Sequence, residues 1–255
     1  MKSIYFFSLV VLSNPLLAQN ALEPAAKVPA IQKDALMPNQ QAFLNLPEES
    51  RTEFIKHLGE ANRLFQQKRI FETLDELDKA SKIFVDSPEV YNMRGSCFVE
   101  MRAFDKALVD FQKAVALTKD NSSIEFNIAE VYFVTQEWKK SVELFEKIFK
   151  LLPPNNLALG RLVEFKILLG KKKLGLKDEV NRLVEKYDSF DDSPYYYYAQ
   201  AALAYDNHNL TQAEEWLAIA GRVFQDPNMI APWQDTLVEY GYIKSFYGND
   251  SGVDP

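Results

Sequence analysis

The chain has 255 residues and a mass of 29.3 kDa, and 36 acidic against 29 basic side chains give it a formal net charge of −7. Apolar residues make up 47% of the chain and aromatic residues 13%, which is enough for a sizeable core and excludes wholesale disorder. The acidic balance argues against nucleic acid as a partner, because phosphate binding needs clustered lysine and arginine.

The N-terminus has the pattern of an export signal. In residues 1–18 (MKSIYFFSLVVLSNPLLA) one lysine precedes the apolar run Ile4–Leu12, and Pro15 and the small residue Ala18 follow. This pattern predicts a signal peptide that is cleaved before Gln19. The alternative is a membrane anchor, but so short an apolar run cannot cross about 30 Å of hydrocarbon. We therefore expect a periplasmic or extracellular protein, with no stable membrane insertion after cleavage.

A spacer precedes the folded part of the chain. Residues 19–46 are rich in proline, alanine and glutamine and show no apolar period, which predicts a flexible, extended tether. The alternative is a short helix around Ala35–Leu44, broken near Pro38. Apolar residues at helical spacing begin after Pro47, which suits the first turn of a helix.

An internal repeat organises the rest of the sequence. Residues 88–121 align with residues 122–155 at an offset of 34 residues without a gap. Each segment contains two stretches of apolar residues at helical spacing, separated by a break near the middle, which predicts a helical hairpin. The matched pairs are Gly95 with Ala129, Phe98 with Tyr132, Phe104 with Trp138, Ala107 with Ser141, Phe111 with Phe145 and Ala114 with Ile148.

This arrangement resembles the tetratricopeptide repeat (TPR) family, in the form of an exported bacterial-type protein. The family pattern of small and aromatic positions fits residues 88–121, 122–155 and 194–227 well, and fits the degenerate segments 54–87 and 156–193 less well. The resemblance implies an all-α fold: a right-handed α-solenoid of about five TPR-like hairpins and a C-terminal capping helix.

The resemblance covers residues 47–248. Within it, residues 229–248 are expected to form the capping helix, with Pro232 in its first turn and Gly248 at its end, and residues 249–255 should fray.

Residue types that carry chemistry are sparse. The one cysteine, Cys97, falls on a helix face that is expected to pack in the core, and the two histidines stand far apart in the sequence. Lys171–Lys173 are expected in a solvated turn between helices. The acids of Asp188–Asp192 suggest a calcium loop, but they lack the alternating oxygen ligands and the glycine that such a loop needs. We therefore predict no enzyme activity, no cofactor and no metal.

The best functional signal is a groove. In TPR proteins that bind peptides, certain positions of the first helix of each hairpin line the concave surface, and the resemblance carries these positions over to this chain. The partner-binding candidates are Phe65, Asn92, Val99, Phe126, Glu130, Phe133, Tyr198 and Tyr205. Their aromatic and acidic character favours an apolar to weakly basic protein or peptide. The alternative is that some of these positions are partly buried between adjacent first helices.

We therefore predict a non-catalytic protein- or peptide-binding scaffold in the cell envelope or periplasm. The alternative is a structural module that self-associates through an aromatic C-terminal cap, so a homo-oligomer is possible. The cap aromatics are Trp233, Tyr240, Tyr242, Phe246 and Tyr247.

Overall fold

The computed structural model describes residues 36–119, 121–153 and 155–244. The predicted signal peptide, most of the spacer and the end of the chain lie outside the described residues. The described residues form α-helices and no strands, which confirms the all-α prediction. None of these helices is both long and apolar enough to span a bilayer. The described chain falls into two compact units, residues 36–131 (the N-terminal unit) and residues 132–244 (the C-terminal unit).

Six helices begin in the N-terminal unit, and the last of them continues into the C-terminal unit. They are α1 (Pro38–Leu44), α2 (Glu48–Gln66), α3 (Ile70–Ile83), α4 (Pro88–Glu100), α5 (Phe104–Ala116) and α6 (Ser122–Val134). The C-terminal unit then contains α7 (Trp138–Leu151), α8 (Leu157–Lys173), α9 (Lys177–Val184), α10 (Tyr195–Asp206), α11 (Leu210–Val223) and α12 (Pro227–Tyr240). Consecutive helices pack in pairs, α2 with α3, α4 with α5, α8 with α9 and α10 with α11, as the helical hairpins predict.

The turns inside the hairpins all have the same backbone geometry. Between α4 and α5, the Arg102 N–H donates to the Val99 carbonyl and the Ala103 N–H donates to the Phe98 carbonyl, both at 2.8 Å. This pair of bonds is the Schellman motif, which needs a left-handed residue just past the helix end. Arg102 supplies it with φ +56°. The same bonds close the other four turns, where the left-handed residues are Lys68, Gln136, Gly175 and His208.

These turns show how strongly the hairpin geometry is imposed. Only Gly175 adopts the left-handed conformation without a steric cost, because a Cβ atom makes that conformation unfavourable by roughly 1–2 kcal/mol. Lys68, Arg102 and Gln136 are spaced at the 34-residue period of the sequence repeat. The packing of the hairpins therefore outweighs the local preference of these three residues.

Close approach of the paired helices depends on a small residue. Gly95 of α4 and Phe111 of α5 are both buried, and a Cβ atom at Gly95 would lie 2.6 Å from the Phe111 ring. The ring therefore occupies the space that any side chain at position 95 would need. This contact explains why the repeat pattern places a small residue opposite an aromatic one.

The segment before α2 is partly folded. Residues 38–44 form helix α1, which is the alternative to an extended tether. Phe43 lies 5.2 Å from Phe54 and 5.3 Å from Phe84 between ring centroids, so this helix extends the core of the N-terminal unit. These aromatic contacts give the helix the tertiary support that a seven-residue segment lacks by itself.

Two local expectations were wrong. Lys171–Lys173 form the last turn of α8 rather than a loop, a place where cations are favourable because the helix dipole is negative there. The capping helix α12 spans Pro227–Tyr240 rather than residues 229–248, so Pro232 lies inside the helix instead of in its first turn. The Asp226 side chain caps its first turn, and Gly241 takes φ +93° and terminates it.

The contact at Gly95 can be tested with matched glycine variants. Gly95→Ala should lower the melting temperature, because overpacking costs about 1–3 kcal/mol. Gly59→Ala, inside α2, is the control: no atom lies within 4 Å of a Cβ atom there, so alanine should stabilise the helix by about 0.5–1 kcal/mol. Thermal unfolding followed by circular dichroism compares the two. Equal melting temperatures for both variants would show that the Gly95–Phe111 contact is not tight.

Candidate functional site

The structure places seven of the eight predicted partner-binding residues in buried positions. Asn92 alone is half-buried, and the others are Phe65, Val99, Phe126, Glu130, Phe133, Tyr198 and Tyr205. Their burial fits the alternative of partly buried positions better than it fits a fully open groove. Whether they bind a partner stays a prediction. The residues divide between the two units, and the two groups differ in character.

The group in the N-terminal unit centres on a pair of asparagines. The Asn127 side-chain amide of α6 donates a 2.9 Å hydrogen bond to the side-chain oxygen of Asn92 on α4. Asn127 is only 2% exposed. Its own side-chain oxygen is buried and has no hydrogen-bond partner among the described residues. Asn127 was not predicted, although it directly follows the predicted residue Phe126.

Further polar side chains are buried on the same two helices. Ser96 of α4 is fully buried and donates to the carbonyl of Asn92, and Glu130 of α6 is buried one turn beyond Asn127. Buried polar groups are costly unless hydrogen bonds compensate them, so ordinary cores avoid them. This face, which we call the asparagine face (Asn92, Ser96, Asn127 and Glu130), therefore combines burial with an unused hydrogen-bond acceptor.

The group in the C-terminal unit is covered by the chain itself. The ring of Tyr205 stacks on Tyr242, with centroids 5.0 Å apart and planes 15° apart. Tyr198 lies 5.6 Å from Trp233, and Phe133 packs beside Tyr240 of α12. Helix α12 and the residues after it therefore cover the side chains that were expected to line an open groove. Tyr198 and Tyr205 were predicted to meet a partner; both pack against the cap, and their role in partner binding stays a prediction.

Lysines of α8 fasten this cap. The ammonium of Lys166 lies 2.9 Å from a carboxylate oxygen of Glu239, and both side chains are buried. Lys172 pairs with Asp206, which also accepts a 2.6 Å hydrogen bond from the Tyr242 hydroxyl. Removing one partner of a buried ion pair typically costs about 3–5 kcal/mol, so the pair of Lys166 and Glu239 holds the cap firmly.

The pKa values in this cluster follow from burial. Burial lowers the pKa of Lys172, and the nearby Asp206 only partly opposes that shift. Burial and the hydrogen bond to Asp206 raise the pKa of Tyr242, so its hydroxyl stays protonated and remains a donor at neutral pH. The hydrogen bond from Tyr242 to Asp206 is therefore kept near pH 7.

The other candidate chemical groups have structural roles. Cys97 is fully buried in the N-terminal core, and burial raises the pKa of its thiol to about 12. His208 lies in the α10–α11 turn. Asp191, from the acidic segment considered as a calcium loop, forms an ion pair with Arg161. Among the described residues, no three His, Cys, Asp or Glu side chains are grouped so that they could hold a metal ion.

Of the comparisons with known proteins, the one with solved structures identifies the fold. A scan against protein-family models and a search of curated proteins each find no match. Among solved structures, the chain is similar to YrrB, which is described as a TPR protein with an unusual peptide-binding site. The two are 18% identical with a TM-score of 0.51, over 76% of this chain and 96% of YrrB.

Two further structures show the same likeness. PilF from Pseudomonas aeruginosa is 13% identical with a TM-score of 0.52, over 76% of this chain and 94% of PilF. TTC0263, a thermophilic TPR protein in Thermus thermophilus, is 16% identical with a TM-score of 0.51, over 72% of this chain and 99% of TTC0263. At such low sequence identities, the structural likeness shows the fold and not the function. Together with the paired helices and the 34-residue period, it shows that this chain has the α-solenoid fold of the tetratricopeptide repeat proteins.

Proposed function

We propose that this protein is a non-catalytic scaffold that binds an extended protein segment or peptide on its asparagine face. The observation that carries the proposal is the Asn127 side chain, which is 2% exposed and whose oxygen has no hydrogen-bond partner among the described residues. A buried acceptor in this state costs free energy in the isolated chain, and a ligand that displaces the side chains covering it and donates to it recovers that cost.

The chemistry of the face favours a main-chain donor. Every residue except proline offers one backbone N–H, so an extended segment can donate to Asn127 whatever its sequence. Phe126, next to Asn127 in the sequence, is 2% exposed, so its ring meets a ligand only where binding uncovers it; aromatic residues are enriched among those that dominate binding energy. The carboxylate of Glu130 favours a partner with a basic residue. The expected ligand is therefore apolar to weakly basic.

The comparison with YrrB supports a peptide ligand, because that protein of the same fold is described as having a peptide-binding site. The sequence supports a binding role over catalysis, since it holds no glycine-rich phosphate loop and no histidine pair with metal-ligand spacing. The cap of the C-terminal unit is a poor site for the alternative function, self-association, because Trp233 and Tyr240 are buried within that unit.

The role of Asn127 can be tested with a nearly isosteric variant. Asn127→Leu should lower the free energy of unfolding by no more than about 0.5–1.5 kcal/mol, because it removes the hydrogen bond to Asn92 together with an acceptor that has no partner. The same variant should weaken binding by about 1–2 kcal/mol, which is roughly tenfold. The probes are peptides selected from a displayed random library against residues 19–255, and affinity is measured by isothermal titration calorimetry.

The matched control is Asn181→Leu, which changes an exposed asparagine on helix α9 and should alter neither quantity. A folded Asn127→Leu protein that binds the selected peptides at full strength would contradict the proposal. A large loss of stability would assign Asn127 a structural role instead.

The proposed location is outside the cytoplasm, in the periplasm or beyond. It rests on the signal pattern of residues 1–18, which precedes the described residues. We expect N-terminal sequencing of the exported protein to begin at Gln19. A mature protein that begins at Met1, or one that stays in membranes after carbonate extraction, would contradict export with cleavage.

A further inference from the structure

A short loop in the C-terminal unit presents one aromatic side chain to solvent. This Phe190 loop (residues 188–193) joins the segment after α9 to α10. Phe190 is 91% exposed, more than any other large apolar residue that the structure describes. Single exposed apolar residues are common on protein surfaces, so exposure alone carries no function.

Hydrogen bonds hold the backbone of the loop around Phe190 in place. The Arg161 guanidinium of α8 donates to both carboxylate oxygens of Asp191, with its closest contact at 3.0 Å. The Ser193 hydroxyl donates to the same carboxylate, and the Phe190 N–H donates to the Asp188 side chain at 2.9 Å. A loop whose backbone is held in place before binding loses little backbone entropy on binding, which favours association.

The N-terminal unit contains a pocket of matching character. It lies between α3, α4 and α5 and has a volume of about 470 Å³, within the usual range for a binding pocket. Its apolar lining comes from Leu74, Phe98 and the exposed residue Val109. A phenyl ring fits such a lining, because burying an aromatic side chain removes a large apolar area from water.

The loop is acidic, and one lysine at the pocket offers it an opposite charge. Asp188 and Asp192 flank Phe190, are exposed, and have no ion pair among the described residues. On the α5 side of the pocket, the lysine Lys106 likewise has no acidic partner in the described part of the chain, whereas Arg94 is neutralised by Asp110 at 2.7 Å. Asp78 lies on the α3 side, so an acidic loop should enter with its carboxylates toward α5.

We propose that copies of this protein associate by inserting Phe190 of one copy into the α3–α5 pocket of another. The contact is heterologous, because two different surfaces of the chain meet, and every copy carries both. The interface is small, so the association is expected to be weak. It uses neither the asparagine face nor the aromatic cap, and it is independent of the proposed peptide binding.

The test is sedimentation velocity of residues 19–255 over increasing protein concentration. Wild type should show a sedimentation coefficient that rises with concentration and falls back at high salt. Phe190→Ala should weaken association at least tenfold, and so should Val109→Glu, which adds bulk and an acid in the pocket. Leu210→Ala, which removes another exposed apolar side chain, is the control and should associate like wild type.

Mixing the two variants distinguishes this contact from other modes of association. Phe190→Ala keeps the pocket and Val109→Glu keeps the phenylalanine, so a mixture should form a heterodimer with one junction and grow no further. If Val109→Glu lowers the melting temperature, Lys106→Glu replaces it and should weaken association through charge. A monomeric wild type, a Phe190→Ala variant that associates normally, or a mixture that stays monomeric while wild type associates would each overturn the proposal.

Discussion

The tight reversal of the chain inside each hairpin is the constraint on which the rest of the structure depends. Each of the five turns is closed by the same two backbone hydrogen bonds around one left-handed residue. So short a turn leaves the two helices side by side, and at Gly95 the Phe111 ring takes up the space that a side chain would need. The turn and the small residue together fix which face of each helix points toward its neighbours.

That geometry is used differently in the two units. In the N-terminal unit, α4 and α6 bring Asn92 and Asn127 together on a buried polar face. In the C-terminal unit, the corresponding aromatic positions are covered by α12, which the buried pair of Lys166 and Glu239 ties to α8. The same repeated hairpin therefore presents a polar face in the N-terminal unit, while in the C-terminal unit it packs against the last helix, α12.

The sequence predicted the elements that depend on short-range patterns. The 34-residue offset identified the hairpins, and the alignment of Gly95 with Ala129 marked a position that the repeat keeps small. The left-handed turn residues could not be predicted, because Lys68 and Arg102 have no local preference for that conformation. Here the tertiary packing decides the conformation and the residue type does not reveal it.

The candidate site was predicted only in outline. The resemblance pointed to the first helix of each hairpin, yet it missed Asn127, since the state of a side-chain oxygen depends on its surroundings. It also placed Tyr205 in an open groove, because the residue that covers it, Tyr242, lies far along the sequence. The ion pair between Lys166 and Glu239 spans 73 residues and leaves no periodic signal. Contacts of this range emerge only from the folded structure.

The central claim, that the asparagine face receives an extended segment, is tested most directly by side-chain amide NMR. The ¹H–¹⁵N resonances of the Asn92 and Asn127 side chains, assigned with single variants at each position, would be followed while a selected peptide is titrated. The account predicts that both side-chain resonances shift in step with saturation, because Asn127 gains a donor and its bond to Asn92 is polarised. Saturation by the peptide with both resonances unmoved would contradict it.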